Sequence, residues 1–292
     1  MSTVIDAIDE FISWIFIQAI MNCLEGCSVI VYGLFGEIVD EVGKTPQQFN
    51  PSVFSTVQGI SETVILPIGG VVLTFVMCYE LISMIIDKNN FHDFPPSEIM
   101  KWIFKTCIAI LLITNVFTFC NAVFELAQKI LNDSMRYVSI DPDFVIFDDR
   151  TALQTILESI ALGDLVIMFL QSFVLLMLLN VMNVLVGVII YGRMIEIYLV
   201  SSVAPIPFST LGSKEQSSIG QNYIKSIIAL GLQGFFIMLC VAIYSVMIVG
   251  IDTSIDPANP LNAMWECLIY NVMLMVALFK SGSLAKSIMS AH

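Results

Sequence analysis

Charge is what this chain has least of. Of 292 residues, 13% are charged and 57% are hydrophobic, whereas a soluble globular domain carries roughly twice that charged fraction. The shortage excludes a water-exposed globule and points to a polytopic membrane protein. Basic residues are scarcer still: 12 Lys and Arg against 25 Asp and Glu, a net charge of -13. No broad basic face is available for phosphate, which excludes bulk nucleic-acid binding. The two histidines, His92 and His292, are too isolated to form a site. Of seven cysteines none forms a C-x-x-C pair. Cys23 and Cys27 share a helix face at i, i+4, but with no histidine nearby they read as small hydrophobes rather than metal ligands. The P-loop, G-x-S-x-G and H-E-x-x-H patterns are missing as well. The expectation is therefore a protein that is not an enzyme and that holds no cofactor and no metal.

The acid gathers in connecting segments, with Asp141, Asp143, Asp148 and Asp149 in one cluster and Asp252 and Asp256 in another. Neither sits in a twelve-residue loop with the glycine and terminal glutamate that calcium needs, so both read as solvated acid. Near the start, Asp6, Asp9 and Glu10 stand where a cleavable signal would be basic, so the first membrane segment is expected to direct insertion itself.

Apolar residues recur at helical spacing over residues 3–25, with Ile5, Ile8, Ile12, Ile15 and Ala19 on one face and Asp6, Glu10 and Ser13 on another. Gly26 reads as an interruption before a second apolar piece, 28–39. Each piece is shorter than the ~20 residues of a span, and Glu25 is costly in lipid. The expectation for residues 1–42 is thus amphipathic, interfacial helices, and one long span is the alternative. Gly43, Pro46, Asn50 and Pro51 predict an outside loop over 43–62. Residues 63–286 form the bundle proper, with spans at 63–86, 102–124, 164–190, 224–249 and 263–279 and an outside loop at 132–162. The fold class is all-α: a polytopic helix bundle of about five transmembrane helices, plus a re-entrant or interfacial proline-broken segment.

That segment, residues 192–225, breaks the pattern between two apolar runs. An arginine at membrane depth costs on the order of 3 kcal/mol unless it is paired or reaches water. Arg193 and Glu196 are three apart, so a helix puts them on one face as a pair. Pro205 and Pro207 remove two backbone donors and stop regular helix, and broken backbone at that depth needs protein or water around it. Glu80 and Lys105 lie at similar distances from the short polar connection between their helices, which makes them a second candidate pair. If 192–212 does not itself cross, Lys88, Lys101, Lys105, Arg193, Lys214, Lys225, Lys280 and Lys286 share one side and only Lys44, Lys129, Arg136 and Arg150 the other. Positive residues favour the cytoplasm, so this choice gives a multi-pass protein of the cell membrane with a cytoplasmic C-terminus.

The broken segment also carries a resemblance. R-x-I-E-I from Arg193, then A-P-I-P-F from Ala204, then I-G-Q-N-Y-I-K-S from Ile219, leading into A-L-G-L-Q-G-F-F-I-M from Ala229, resembles the TrbL family. These are polytopic inner-membrane subunits of type IV secretion systems, here of the Gram-positive conjugative kind. The likeness runs over residues 60–285, through topology as well as the segment itself. It implies a channel subunit that assembles into a homo-oligomeric ring, five-fold in the family. The implied partners are other secretion subunits, including the secretion ATPases, with membrane lipids around it and transient contact with the DNA or protein being transferred. Carried over on the matching stretch are Arg193, Glu196, Pro205, Pro207, Gly220 and Lys225, as residues that shape the turn rather than catalyse. The alternative is a small-molecule or ion-coupled permease. Such transporters show broken helices in matching positions of two halves, and here the break occurs once.

Overall fold

A proline opens four of the helices in the computed structural model, which describes residues 2–87, 96–134, 150–250 and 261–290. The acidic residues at 141–149, Asp252, Asp256, His92, His292, Lys88 and Arg136 lie outside the described residues. Among the described residues the secondary structure is helical throughout. In chain order the helices are α1 (Ser2–Val42), α2 (Pro46–Phe49), α3 (Pro51–Ile60), α4 (Leu66–Asp87), α5 (Pro96–Thr114), α6 (Val116–Ser134), α7 (Arg150–Glu158), α8 (Leu162–Val203), α9 (Pro205–Ser209), α10 (Ser217–Val249) and α11 (Asn262–Ile288).

Three expectations need correcting. The loop expected over 43–62 is helical. Thr45 and Gln48 form a reciprocal capping box on α2, and the Asn50 side chain accepts the Val53 N–H at the head of α3. Pro46 and Pro51 each stand in the first turn, where a missing N–H costs nothing. They read in sequence as loop signals and act as helix starts. A π-helical turn, Ser61–Ile65, then joins α3 to α4. The second correction is at Gly26: α1 is one unbroken helix. A glycine removes side-chain contacts without removing a backbone bond, and here the vacated space is taken by Leu176, 3.2 Å from where a Cβ would stand.

The third correction concerns where the chain bends. The span expected over 102–124 is cut at Asn115, where α5 and α6 meet at 67°. Neither proline nor glycine causes this. Thr114 and Asn115 both turn their side chains back on the carbonyls of the preceding turn, Ile110 at 2.9 Å and Leu111 at 2.9 Å, and such back-bonding competes with the backbone ladder. At the prolines the break is slight by comparison. α8 runs to Val203, Phe208 N–H still reaches the Ala204 carbonyl at 3.2 Å, and α9 follows with Pro205 in its first turn. The chain reverses only over residues 213–216, so the segment ends one apolar stretch, Leu162–Gly212, rather than making a separate excursion. Five stretches are long and apolar enough to cross a bilayer: Ile8–Val42, Pro51–Ile86, Leu162–Gly212, Ser217–Val249 and Met264–Ile288, with a sixth if the bent pair counts as one.

The helices divide between two units. The first holds α1, α7, α8 up to Ile190, α10 from Ile237 and α11 up to Phe279. Its core is a stripe of α1 (Ile17, Ile20, Leu24, Cys27, Val31, Ile38) with Leu165, Leu175 and Leu179 of α8, Val241 and Ile248 of α10 and Cys267 of α11, all buried. Phe16 meets Phe169 at 5.7 Å between ring centres. The second unit holds residues 43–133, 191–236 and 280–292. One of its cores gathers Val116, Cys120 and Phe124 of α6 with Met194 and Ile197 of α8, Phe208 of α9 and Ile227 and Leu230 of α10. The other joins Leu73, Val76 and Met77 of α4 to Ala109 and Ile113 of α5.

Candidate functional site

The second unit is built around the proline segment. α9 and the 3-10 turn after it pack against α4 and α5. A Cβ on Gly69 would stand 2.8 Å from the carbonyl oxygen of Pro205, and one on Gly212 would run into the Met77 methyl group. Two glycines thus let backbone lie on helix at close range. Below them one carboxylate joins three elements. Glu80, on α4, accepts Lys105 Nζ of α5 at 3.0 Å on one oxygen and the backbone N–H of Lys214 at 3.0 Å on the other. Glu80 is buried, so both oxygens need partners. Trp102 Nε1 donates to the Met77 carbonyl at 3.1 Å and holds α5 to α4 one turn away.

The reversal itself is fixed by hydroxyls. Ser213 Oγ accepts the N–H groups of Glu215 and Gln216, and Thr210 Oγ1 donates to the Pro207 carbonyl at 2.8 Å while accepting the Gly220 N–H at 3.1 Å. A side chain at Gly220 would press on that same Pro207 carbonyl at 2.8 Å and on Leu211. Tyr223 donates its hydroxyl to the Val200 carbonyl across the two helices. Phe208 packs edge-on against both Phe119 and Tyr223.

Two of the residues singled out in sequence sit otherwise than expected. Arg193 does not pair with Glu196. Glu196 takes Lys286 of α11 at 2.9 Å, with both side chains about half exposed, because sharing a helix face does not bring a short carboxylate to a guanidinium that turns inward. Arg193 itself is buried against Gly234 and Leu131, and its Nε and Nη1 have no hydrogen-bond partner. Lys225 is half-buried and joins none of the ion pairs among the described residues. Glu80 and Lys105 do meet, and so do Pro207 and Gly220. What sequence reasoning missed is the third partner, the Lys214 backbone, and three of the residues that receive the segment: Met77, Thr210 and Tyr223. No local signal marks these, since each works through a residue distant in sequence.

The Lys/Arg partition also changes. Gln128 Nε2 donates to the Lys44 carbonyl at 2.8 Å, and Tyr198 donates to the Pro46 carbonyl at 2.6 Å. The short stretch at Lys44 therefore lies beside α6 next to Lys129 and beside α8 one turn from Glu196 and its partner Lys286. Lysines expected on opposite sides meet at one level of the second unit. At its other end Lys101, Lys105 and Lys214 gather with Glu98 and Glu80.

Apolar helices of spanning length, and a proline-cut hairpin held by a buried carboxylate with a partner on each oxygen, define a class: a multi-pass helical membrane protein. The comparison with known families is specific. The family model described as TrbL/VirB6 plasmid conjugal transfer like protein matches residues 31–205. That is more than half of the chain, and the chain belongs to this family, as a membrane component of conjugal transfer. The match starts within α1 and ends at the first proline, so Pro207, Gly220 and Lys225 lie beyond it. No curated protein and no solved structure matches the chain.

Proposed function

We propose that the protein is a structural subunit of a conjugative type IV secretion system that assembles with copies of itself into a ring or channel in the cell membrane and helps pass DNA or protein across. The observation that carries this is the family match over residues 31–205. The hairpin 192–225, with Arg193, Glu196, Pro205, Pro207, Gly220 and Lys225, and its anchor Glu80–Lys105 serve assembly rather than bond chemistry, and the subunit is not an enzyme. Its partners are further copies in a ring of about five, in the closed symmetry usual for homo-oligomers, other secretion subunits including the ATPases, lipids and the transferred substrate.

The end of the second unit that gathers Lys101, Lys105 and Lys214 is assigned to the cytoplasm, where lysines beside membrane helices collect. The test is a gene deletion with complementation, read as transfer frequency, together with the mass of the purified particle in detergent. Loss of transfer and a multiple of the chain mass are expected. Undiminished transfer, or a monomer alone, overturns the proposal.

A further inference from the structure

The exposed side of α1 changes character along its length. Residues at i, i+3 and i+4 form one outward stripe: Phe11, Ile15, Gln18, Asn22, Glu25, Val29, Tyr32. Its ends are apolar, with Phe11 61% and Val29 67% exposed. Its middle is polar, and there Glu25 pairs with Arg150 of α7 at 3.3 Å, both side chains about 60% exposed. α7 packs on α1 through Leu153 and Leu157, both buried, and turns Thr155 and Glu158 outward. α8, in the same unit, carries no exposed charge here: Leu170, Val174, Met177, Val181, Val184 and Val188 form an exposed stripe of large apolar residues, with the uncharged Gln171 and Asn180 exposed beside it.

We propose that this polar patch, Gln18, Asn22, Glu25, Arg150, Thr155 and Glu158, faces a water-filled passage, while the α8 stripe faces lipid. Ionisable side chains within a span turn to protein or to an aqueous cavity. This pair turns to neither a core nor a buried partner, since both members keep most of their surface. A resting place among headgroups fits less well. A helix crossing one boundary has apolar exposure on one side of its charged level only, and α1 has it on both. The inference deepens the channel reading and rests on it: an assembled ring needs one face of each subunit toward solvent and another toward lipid, and the first unit carries one of each.

The experiment uses the full chain in membranes of cells that hold the complete transfer machinery. Cys78, Cys107 and Cys240 are replaced by Ser, and Thr155→Cys and Val181→Cys are compared. Thr155→Cys should react with a charged methanethiosulfonate at the rate of a hydrated thiol. Val181→Cys should react more than about tenfold more slowly, because each unit that an apolar setting adds to a thiol pKa removes a factor of about ten in thiolate. The purified assembly, in phosphatidylethanolamine–phosphatidylglycerol vesicles, then carries a fluorophore at one position or the other. Nitroxides on acyl chains should quench the label at 181, and neither acyl-chain nor headgroup nitroxides should quench the one at 155. Slow labelling of Thr155→Cys, or quenching from either depth, overturns the passage. Particle mass is read separately: a water-accessible, unquenched Thr155→Cys in a monomer keeps the aqueous face and removes the ring.

Discussion

Replacing Glu80 by Ala tests the clamp at the tip of the hairpin. The side chain is buried and holds Lys105 Nζ and the Lys214 N–H, each at 3.0 Å. Breaking a fully buried pair costs about 3–5 kcal/mol. Lys105, however, keeps 37% of its side chain exposed and can carry its ammonium to water along its own stem, so the ion pair contributes only about 1 kcal/mol. The backbone N–H has no such escape, and leaving it unmatched costs about 1–3 kcal/mol. The sum for Glu80→Ala is about 2–4 kcal/mol. Glu80→Gln keeps an oxygen for Lys214 and loses only the charge, for about 1 kcal/mol. The difference between the two isolates the backbone contact. Unfolding against the mole fraction of dodecyl sulfate in detergent micelles gives both values. Trp102, whose indole bonds the Met77 carbonyl one turn from Glu80, is the reporter once Trp14 and Trp265 are changed to Phe. Equal losses in the two variants, or a loss below about 0.5 kcal/mol in both, would refute the reasoning.

The same assay serves three further substitutions. Arg193→Met removes a buried cation with two unpartnered nitrogens, so the variant should be as stable as the parent or more so by about 1–2 kcal/mol; a loss above 2 kcal/mol would mean that the guanidinium has a strong partner. Gly220→Ala puts a Cβ 2.8 Å from a backbone carbonyl that cannot move aside and should cost about 1–3 kcal/mol, whereas Gly33→Ala, with nothing within 4 Å, should be harmless; equal effects at the two sites contradict the close approach. Tyr198→Phe takes away the hydroxyl that reaches Pro46 at 2.6 Å and should lose about 1 kcal/mol, with hydrogen exchange rising at residues 44–50; unchanged exchange there would show that the staple is elsewhere.

The sequence by itself determined the class. Long apolar runs with few charges allow helices and little else at membrane depth, because every backbone group has to be satisfied within its own segment. It also determined that Glu80 and Lys105 would meet, since two helices joined by a short connection bring residues at matching distances side by side. Tertiary structure decided the rest. The chain bends at Asn115 rather than at Pro205 because Thr114 and Asn115 take carbonyls from the ladder, while Pro205 sits in a first turn where its missing N–H is not needed. Glu196 has Lys286 for a partner because α11, 90 residues on, returns to that level, and no spacing rule on α8 can announce it. The proline segment is held by Gly69, Met77 and Glu80 of a helix that ends more than a hundred residues earlier. Local periodicity says which face of a helix is apolar, but which neighbour covers that face depends on contacts between residues far apart in the chain.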